Sequence, residues 1–236
     1  LKSIFKGIID ENKIKIVNDS TYIVQEKEIK NNGNIVLDKK YNYSKKEVQN
    51  LVLIGCSTGG PNALGKVLEN LNENTNASIL IVQHMPEGDY ISSLAKKLKQ
   101  KTTFKVKEAE NNEEIKNGVV YLCPGGKQMK INNNKKIILT EDFPENGHKP
   151  SVDYMFREIS KFVNMFNKVI PIVLTGMGAD GAKGSLYFSN LNITTIIQDE
   201  ESCVVFGMPK KVKMVNKLTE TVELKRIIEE VNKRIK

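Results

Sequence analysis

Twice in this sequence an uninterrupted apolar run breaks into a glycine-rich turn that carries one chemically useful side chain. The first is Leu51-Val52-Leu53-Ile54-Gly55-Cys56-Ser57-Thr58-Gly59-Gly60-Pro61. The second is Val169-Ile170-Pro171-Ile172-Val173-Leu174-Thr175-Gly176-Met177-Gly178-Ala179-Asp180-Gly181. Apolar runs without polar alternation belong to strands covered on both faces, as in a parallel sheet. Pro61 suits the first turn of a helix, where its missing N–H has no intrahelical partner to lose. Glycines at 55, 59 and 60 allow a tight turn and close approach of a substrate. Each run is thus expected to deliver one residue, Ser57 or Asp180, to the carboxyl edge of an α/β sheet. Helix N-termini there present unpaired N–H groups to negative charge.

Between and around these runs, apolar segments alternate with helical periodicity, the pattern of βαβ units. Strands are predicted near 51–55, 79–83, 119–122, 170–175 and 193–198. Helices are predicted over Asn62–Leu71, Tyr90–Lys99, Val152–Phe166, Gly181–Asn190 and Glu223–Ile235. Gln128–Ile131 and Lys136–Leu139 flank an Asn-rich turn and read as an antiparallel hairpin. The expected fold is α/β: a doubly wound, mostly parallel sheet with an antiparallel hairpin at one edge and helices on both faces. Residues 1–50 form a polar, Lys- and Asn-rich N-terminal segment. Alternation at Ile14–Val17 and Tyr22–Val24 suggests a small hairpin there, and 31–50 read as a linker. The main domain is expected over 51–236.

No apolar stretch is long enough to cross a bilayer as a helix, so membrane insertion is not expected. The three cysteines, Cys56, Cys123 and Cys203, are widely spaced and come without a histidine cluster, which argues against a disulfide framework or a zinc site. With no basic-apolar-small leader at the start, a cytoplasmic location is expected. The net charge of +8 raises the question of a polyanionic partner. Lysines are interspersed with Glu and Asn, and no arginine-rich stripe alternates with aromatics. A solvated surface is favoured over nucleic-acid binding.

Gly55-Cys56-Ser57-Thr58-Gly59 satisfies the nucleophile spelling G-x-S-x-G. Two other readings stay open for this turn: a phosphate loop, disfavoured because the lysine-serine pair is missing, and a serine that merely caps a helix. A serine nucleophile needs a base, and the chain has only two histidines, His84 and His148. His84 follows Ile79-Leu80-Ile81-Val82-Gln83 at the carboxyl end of the neighbouring strand, on the edge that should carry Ser57. Asp180 is the candidate to orient His84, and its rival role is the N-cap of its own helix. The order Ser57, His84, Asp180 differs from the serine-acid-histidine order of α/β-hydrolases. His148 lies in a polar loop before a helix capped by Ser151 and is expected to act on the substrate side or in structuring the loop. Strand alternation turns Cys56 away from Ser57, so it is expected to pack rather than react.

Five segments carry a resemblance to one family: Ile54–Pro61, Gln83-His84-Met85-Pro86, His148–Asp153, Leu174–Gly181 and Ser202–Pro209. Together they resemble the catalytic domain of chemotaxis protein-glutamate methylesterases (CheB-type), over roughly residues 50–215. The resemblance implies a serine hydrolase that demethylates glutamate γ-methyl esters on the cytoplasmic helices of methyl-accepting chemoreceptors, with Ser57, His84 and Asp180 as its triad. Some members also deamidate receptor glutamines. It implies no metal and no organic cofactor, oxyanion donors near Thr58 and Met177, and Gly59 and His148 beside the same cleft. Two residues depart from the family pattern: Cys56 stands where alanine is usual, and Ala179 where asparagine is usual. Members usually carry an upstream phosphorylatable receiver domain, and residues 1–50 lack the acidic pairs and βα repeats that one needs. A non-enzymatic module that holds an anion or a receptor helix at the same sheet edge is the rival class.

Overall fold

The computed structural model describes residues 14–18, 21–29, 35–44, 50–71 and 75–235. The chain divides into two compact units, Leu1–Val48 and Gln49–Lys236. In the first unit β1 (Ile14–Asn18), β2 (Thr21–Ile29) and β3 (Ile35–Ser44) form an antiparallel sheet in the order β1-β2-β3. The expected hairpin falls on β1 and β2. The third strand lies inside the stretch read as a linker. The turn signal at 31–34 and the lead-in at 45–46 lie outside the described residues.

The second unit is built on seven parallel strands. They are β4 (Asn50–Cys56), β5 (Ala77–Gln83), β6 (Lys105–Glu108), β7 (Val119–Leu122), β10 (Val169–Val173), β11 (Thr195–Gln198) and β12 (Thr219–Val222). Their order is β12-β11-β10-β4-β5-β7-β6. After β4 the chain winds one way to β5, and from β10 it winds the other way to β11 and β12. The reversal therefore falls between β10 and β4, and a crevice opens outside the carboxyl ends of strands at such a point. The expected antiparallel hairpin exists as β8 (Gln128–Ile131) and β9 (Ile137–Thr140), but as a separate two-stranded sheet. It packs on α3 (Val152–Ser160) instead of extending the edge of the parallel sheet.

Strand alternation divides the core. Val52, Ile54, Ile79, Ile81, Ile170 and Ile172 face a layer formed by α1 (Gly60–Glu69), α2 (Tyr90–Lys99) and α6 (Ile227–Ile235). Leu51, Leu53, Leu80, Val82, Val173 and Ile197 face α3, α4 (Ala182–Ser189) and α5 (Met208–Val215). Every residue of β4 and β5 is buried, which is why these strands read as continuous apolar runs.

Three elements of this second unit escaped the sequence. Strands β6 and β12 have one buried side chain each, Val106 and Val222, so no alternation marks them. Helix α5, Met-Pro-Lys-Lys-Val-Lys-Met-Val, buries only Met208, Pro209 and Val212 and reads as a basic loop.

Candidate active site

The ends of β4, β5 and β10 are laced together by backbone hydrogen bonds. The N–H of Ser57 donates to the carbonyl of Thr175 at 3.0 Å, and the N–H of His84 donates to the carbonyl of Cys56 at 3.0 Å. The register aligns Cys56 with Gln83, so Ser57 and His84 are the next residues on adjacent strands. Gln83 reinforces the corner: its Nε2 donates to the carbonyls of Ser57 and His84, both at 3.1 Å, while its Oε1 accepts from the Cys56 thiol at 3.1 Å. Gly60 leaves the room that the Gln83 amide fills. Thr175 ties in the far side, donating from Oγ1 to the carbonyl of Thr58 at 3.0 Å.

His84 meets Asp180 directly, with Nε2 2.7 Å from Oδ2. The other ring nitrogen, Nδ1, is buried and has no hydrogen-bond partner among the described residues. His148 lies flat against the same ring, the centroids 3.8 Å apart and the planes 15° from parallel. Its own titration is pushed below the usual histidine range by burial and by the neighbouring His84. Among the described residues Ser57 Oγ makes no hydrogen bond; contacts of this kind in serine enzymes are often long without substrate and tighten when it binds.

Asp180 does not cap its own helix. Gly181, with φ 92°, occupies the N-cap of α4, and Asp180 turns to the N-terminus of α3. Its Oδ1 accepts from Ser151 Oγ at 2.9 Å, the N–H of Asp153 at 3.0 Å and Asn146 Nδ2 at 2.9 Å. Its Oδ2 accepts from the N–H of Val152 at 2.6 Å as well as from His84. Burial alone would raise its titration, but the bonds from His84 and from the N–H groups of Asp153 and Val152 hold it below the usual carboxylate range. Gly55 and Gly181 explain how α3 gets so close. Side chains there would run into Val152, the first residue of α3. Gly55, expected to serve a tight turn and substrate approach, admits α3 beneath the sheet edge.

Around Ser57, Thr58 is exposed, Gly59 adopts φ +83° as the N-cap of α1, and Met177 is 72% exposed. The N–H groups of Thr58 and Met177 donate to nothing among the described residues. Gly176 sits against Ser57, and its carbonyl accepts from Gly207 and Met208 at the start of α5, which fixes the turn that carries Met177. Cys56 is fully buried, and desolvation drives its thiol far above its ordinary value. Among the described residues no group of three or more His, Cys, Asp or Glu is arranged to hold a metal ion. The structure thus gathers Ser57, His84, Asp180, His148, Thr58, Gly59 and Met177 at one sheet edge. No role was foreseen for Asn146, or for Gln83 although it opens the His84 segment, because each acts on residues brought near only by folding.

The fold and the site define a class: a doubly wound α/β protein with serine, histidine and aspartate at three strand ends flanking its switch point. The family model described as CheB methylesterase matches residues 52–231, and the chain belongs to that family. A relative in Desulfotalea psychrophila, named protein-glutamate methylesterase/protein-glutamine glutaminase, is 44% identical over 79% of this chain and 52% of its own length. Relatives of the same name in Bacillus subtilis and Clostridium acetobutylicum are 43% and 36% identical, over 68% and 85% of this chain and 45% and 57% of theirs. The chain spans about half the length of the curated relatives it matches. The crystal structure of the Thermotoga maritima CheB methylesterase catalytic domain superposes with a TM-score of 0.73 at 38% identity, covering 80% of this chain and 100% of that one. No helix among the described residues is long and apolar enough to cross a membrane.

Proposed function

We propose that this chain is a serine hydrolase that removes methyl groups from glutamate γ-methyl esters on the cytoplasmic helices of chemoreceptors, and that it also deamidates receptor glutamines. The observation that carries this is the His84 ring at the strand end beside Ser57, bonded to Asp180 through one nitrogen and with no hydrogen-bond partner among the described residues at the other. Ser57 Oγ attacks the ester carbonyl carbon while its proton passes to His84 Nδ1. Asp180 holds the ring and balances its charge. The tetrahedral intermediate collapses, and His84 returns the proton to departing methanol. Water, deprotonated by the same nitrogen, then cleaves the glutamyl ester of Ser57 and leaves glutamate. With glutamine the leaving group is ammonia. The N–H groups of Thr58 and Met177 serve the oxyanion, at about 3 kcal/mol per donor in characterised hydrolases.

The setting is the cytoplasm, where the receptor helices lie. The experiment is methanol release from a methylated receptor cytoplasmic domain. Release by the wild type that is lost in Ser57→Ala is expected; equal release by both would overturn the assignment.

A further inference from the structure

Two helices in this site exchange their N-terminal acids. Asp180 immediately precedes α4 but binds the N–H groups of Val152 and Asp153 at the start of α3. Asp153, in the first turn of α3, accepts from the N–H of Gly184 in the first turn of α4 at 2.5 Å. Gly184 permits this because a side chain there would press on Phe156 and on the Asp153 backbone. The exchange gives each helix start a carboxylate, and it leaves two carboxylates, each 1% exposed, near enough for one amide nitrogen to reach both. Like charges this close and this deep favour sharing a proton.

Asn146 stands between them. Its Nδ2 donates to Asp153 Oδ2 at 2.7 Å and to Asp180 Oδ1 at 2.9 Å, one hydrogen to each acid. It holds that position from a left-handed backbone, φ 53°, in a tight turn closed by paired backbone bonds between Glu145 and His148. The turn is latched to α3, where Arg157 Nη1 lies 2.6 and 2.5 Å from the two carboxylate oxygens of Glu145. The same turn lays His148 on His84.

We propose that Asn146 is a positioning residue of the triad: by donating to both acids it keeps the Asp153–Asp180 pair free of a shared proton, so that Asp180 stays an anion facing His84. This rests on the hydrolase assignment above. The charged and titratable groups facing the pair are His84 from the end of β5, Glu145 and His148 from the turn, and Arg157 from α3. Helix α4 contributes the Gly184 N–H, while its Lys183 is exposed.

Asn146→Asp tests the idea. Aspartate tolerates the left-handed turn but replaces the donor with a third acid. At about pH 8 its kcat is expected to fall at least about tenfold with KM little changed. As the pH drops toward about 6, one acid of the three takes up a proton and restores an O–H donor, so activity relative to wild type should rise. Asn146→Ala leaves neither a donor nor a third acid, so its Asp153–Asp180 pair takes up a proton as the pH falls and its activity relative to wild type should drop toward about pH 6; it replaces the first variant if that one does not fold. Adding Asp153→Asn to Asn146→Ala should remove the pH dependence of the ratio. A ratio constant with pH, as a purely structural role gives, overturns the proposal, as does wild-type kcat in either single variant. Second-order labelling of Ser57 by a fluorophosphonate, run in parallel, separates the outcomes. An unreactive wild type defeats the hydrolase assignment, whereas a reactive wild type with a flat variant ratio defeats only the role of Asn146.

Discussion

The imidazoles of His84 and His148 stack with their centroids 3.8 Å apart. One face of the proposed base is therefore covered by a second, neutral-favouring ring, and one edge is held by Asp180. With a face and an edge both constrained, the proton can be exchanged only through Nδ1.

Removing the stacked ring should loosen the base without removing it. His148→Asn is expected to lower kcat by about tenfold, less than the roughly 10²–10⁴-fold that a general base itself contributes. It should also change acid stability. His148 is held below its ordinary value of 6.5, so the unfolded chain binds its proton first. Stability contributed by the neutral ring is complete above that value and drains away as the pH falls through the depressed folded value. Thermal melts should show His148→Asn losing less stability than wild type below about pH 6.5.

Asp180→Asn should reduce kcat by about three to four orders of magnitude, as loss of the orienting acid does in serine proteases. An amide cannot accept from all five donors that Asp180 satisfies, and leaving a buried donor unpaired costs about 1–3 kcal/mol. Urea unfolding should register that loss at neutral pH. Because the folded carboxyl titrates below 3.8, its stabilisation is present above that pH and vanishes only as the pH falls through the folded value. The gap between wild type and variant should therefore close in strong acid.

Gly176→Ala would place a methyl 2.8 Å from Ser57 Cβ and against the Met208 sulfur. Displacement of the nucleophile by even a fraction of an ångström should reduce kcat at least about tenfold. Met177→Ala, at an exposed position, should leave stability within about 0.5 kcal/mol and show its effect in turnover kinetics.

Cys56 neighbours Ser57 in sequence, yet its thiol is buried, bonded to Gln83 and driven up by desolvation. Cys56→Ala should keep most of the activity, and iodoacetamide should leave Cys56 unmodified in the folded protein. Rapid alkylation with loss of activity would show that this thiol is reactive.

The parts of the site that sequence could reveal are those that strands deliver. Ser57, His84 and Asp180 each end an apolar run, and parallel strands put such ends on one edge whatever the loops do. The Ser151 cap was legible for the same local reason, since its hydroxyl serves Tyr154 three residues on. The parts that stayed hidden depend on contacts between distant segments. Asp180 reads as a cap of the helix it precedes, and only the passage of Val152 beneath Gly55 reveals that it serves α3 instead. Asn146 sits in a polar turn whose partners lie 7 and 34 residues away. Nothing in its neighbours marks it as the link between two acids. The hairpin β8–β9 was visible from its turn, but its packing on α3 was not.

The triad is tested most directly by fluorophosphonate labelling with the modified residue mapped by mass spectrometry. One probe per chain on Ser57 is expected, with the labelling rate reduced at least about a hundredfold in His84→Gln, in keeping with the weight of a general base. An unmodified Ser57, or labelling that proceeds equally fast without His84, would contradict the triad.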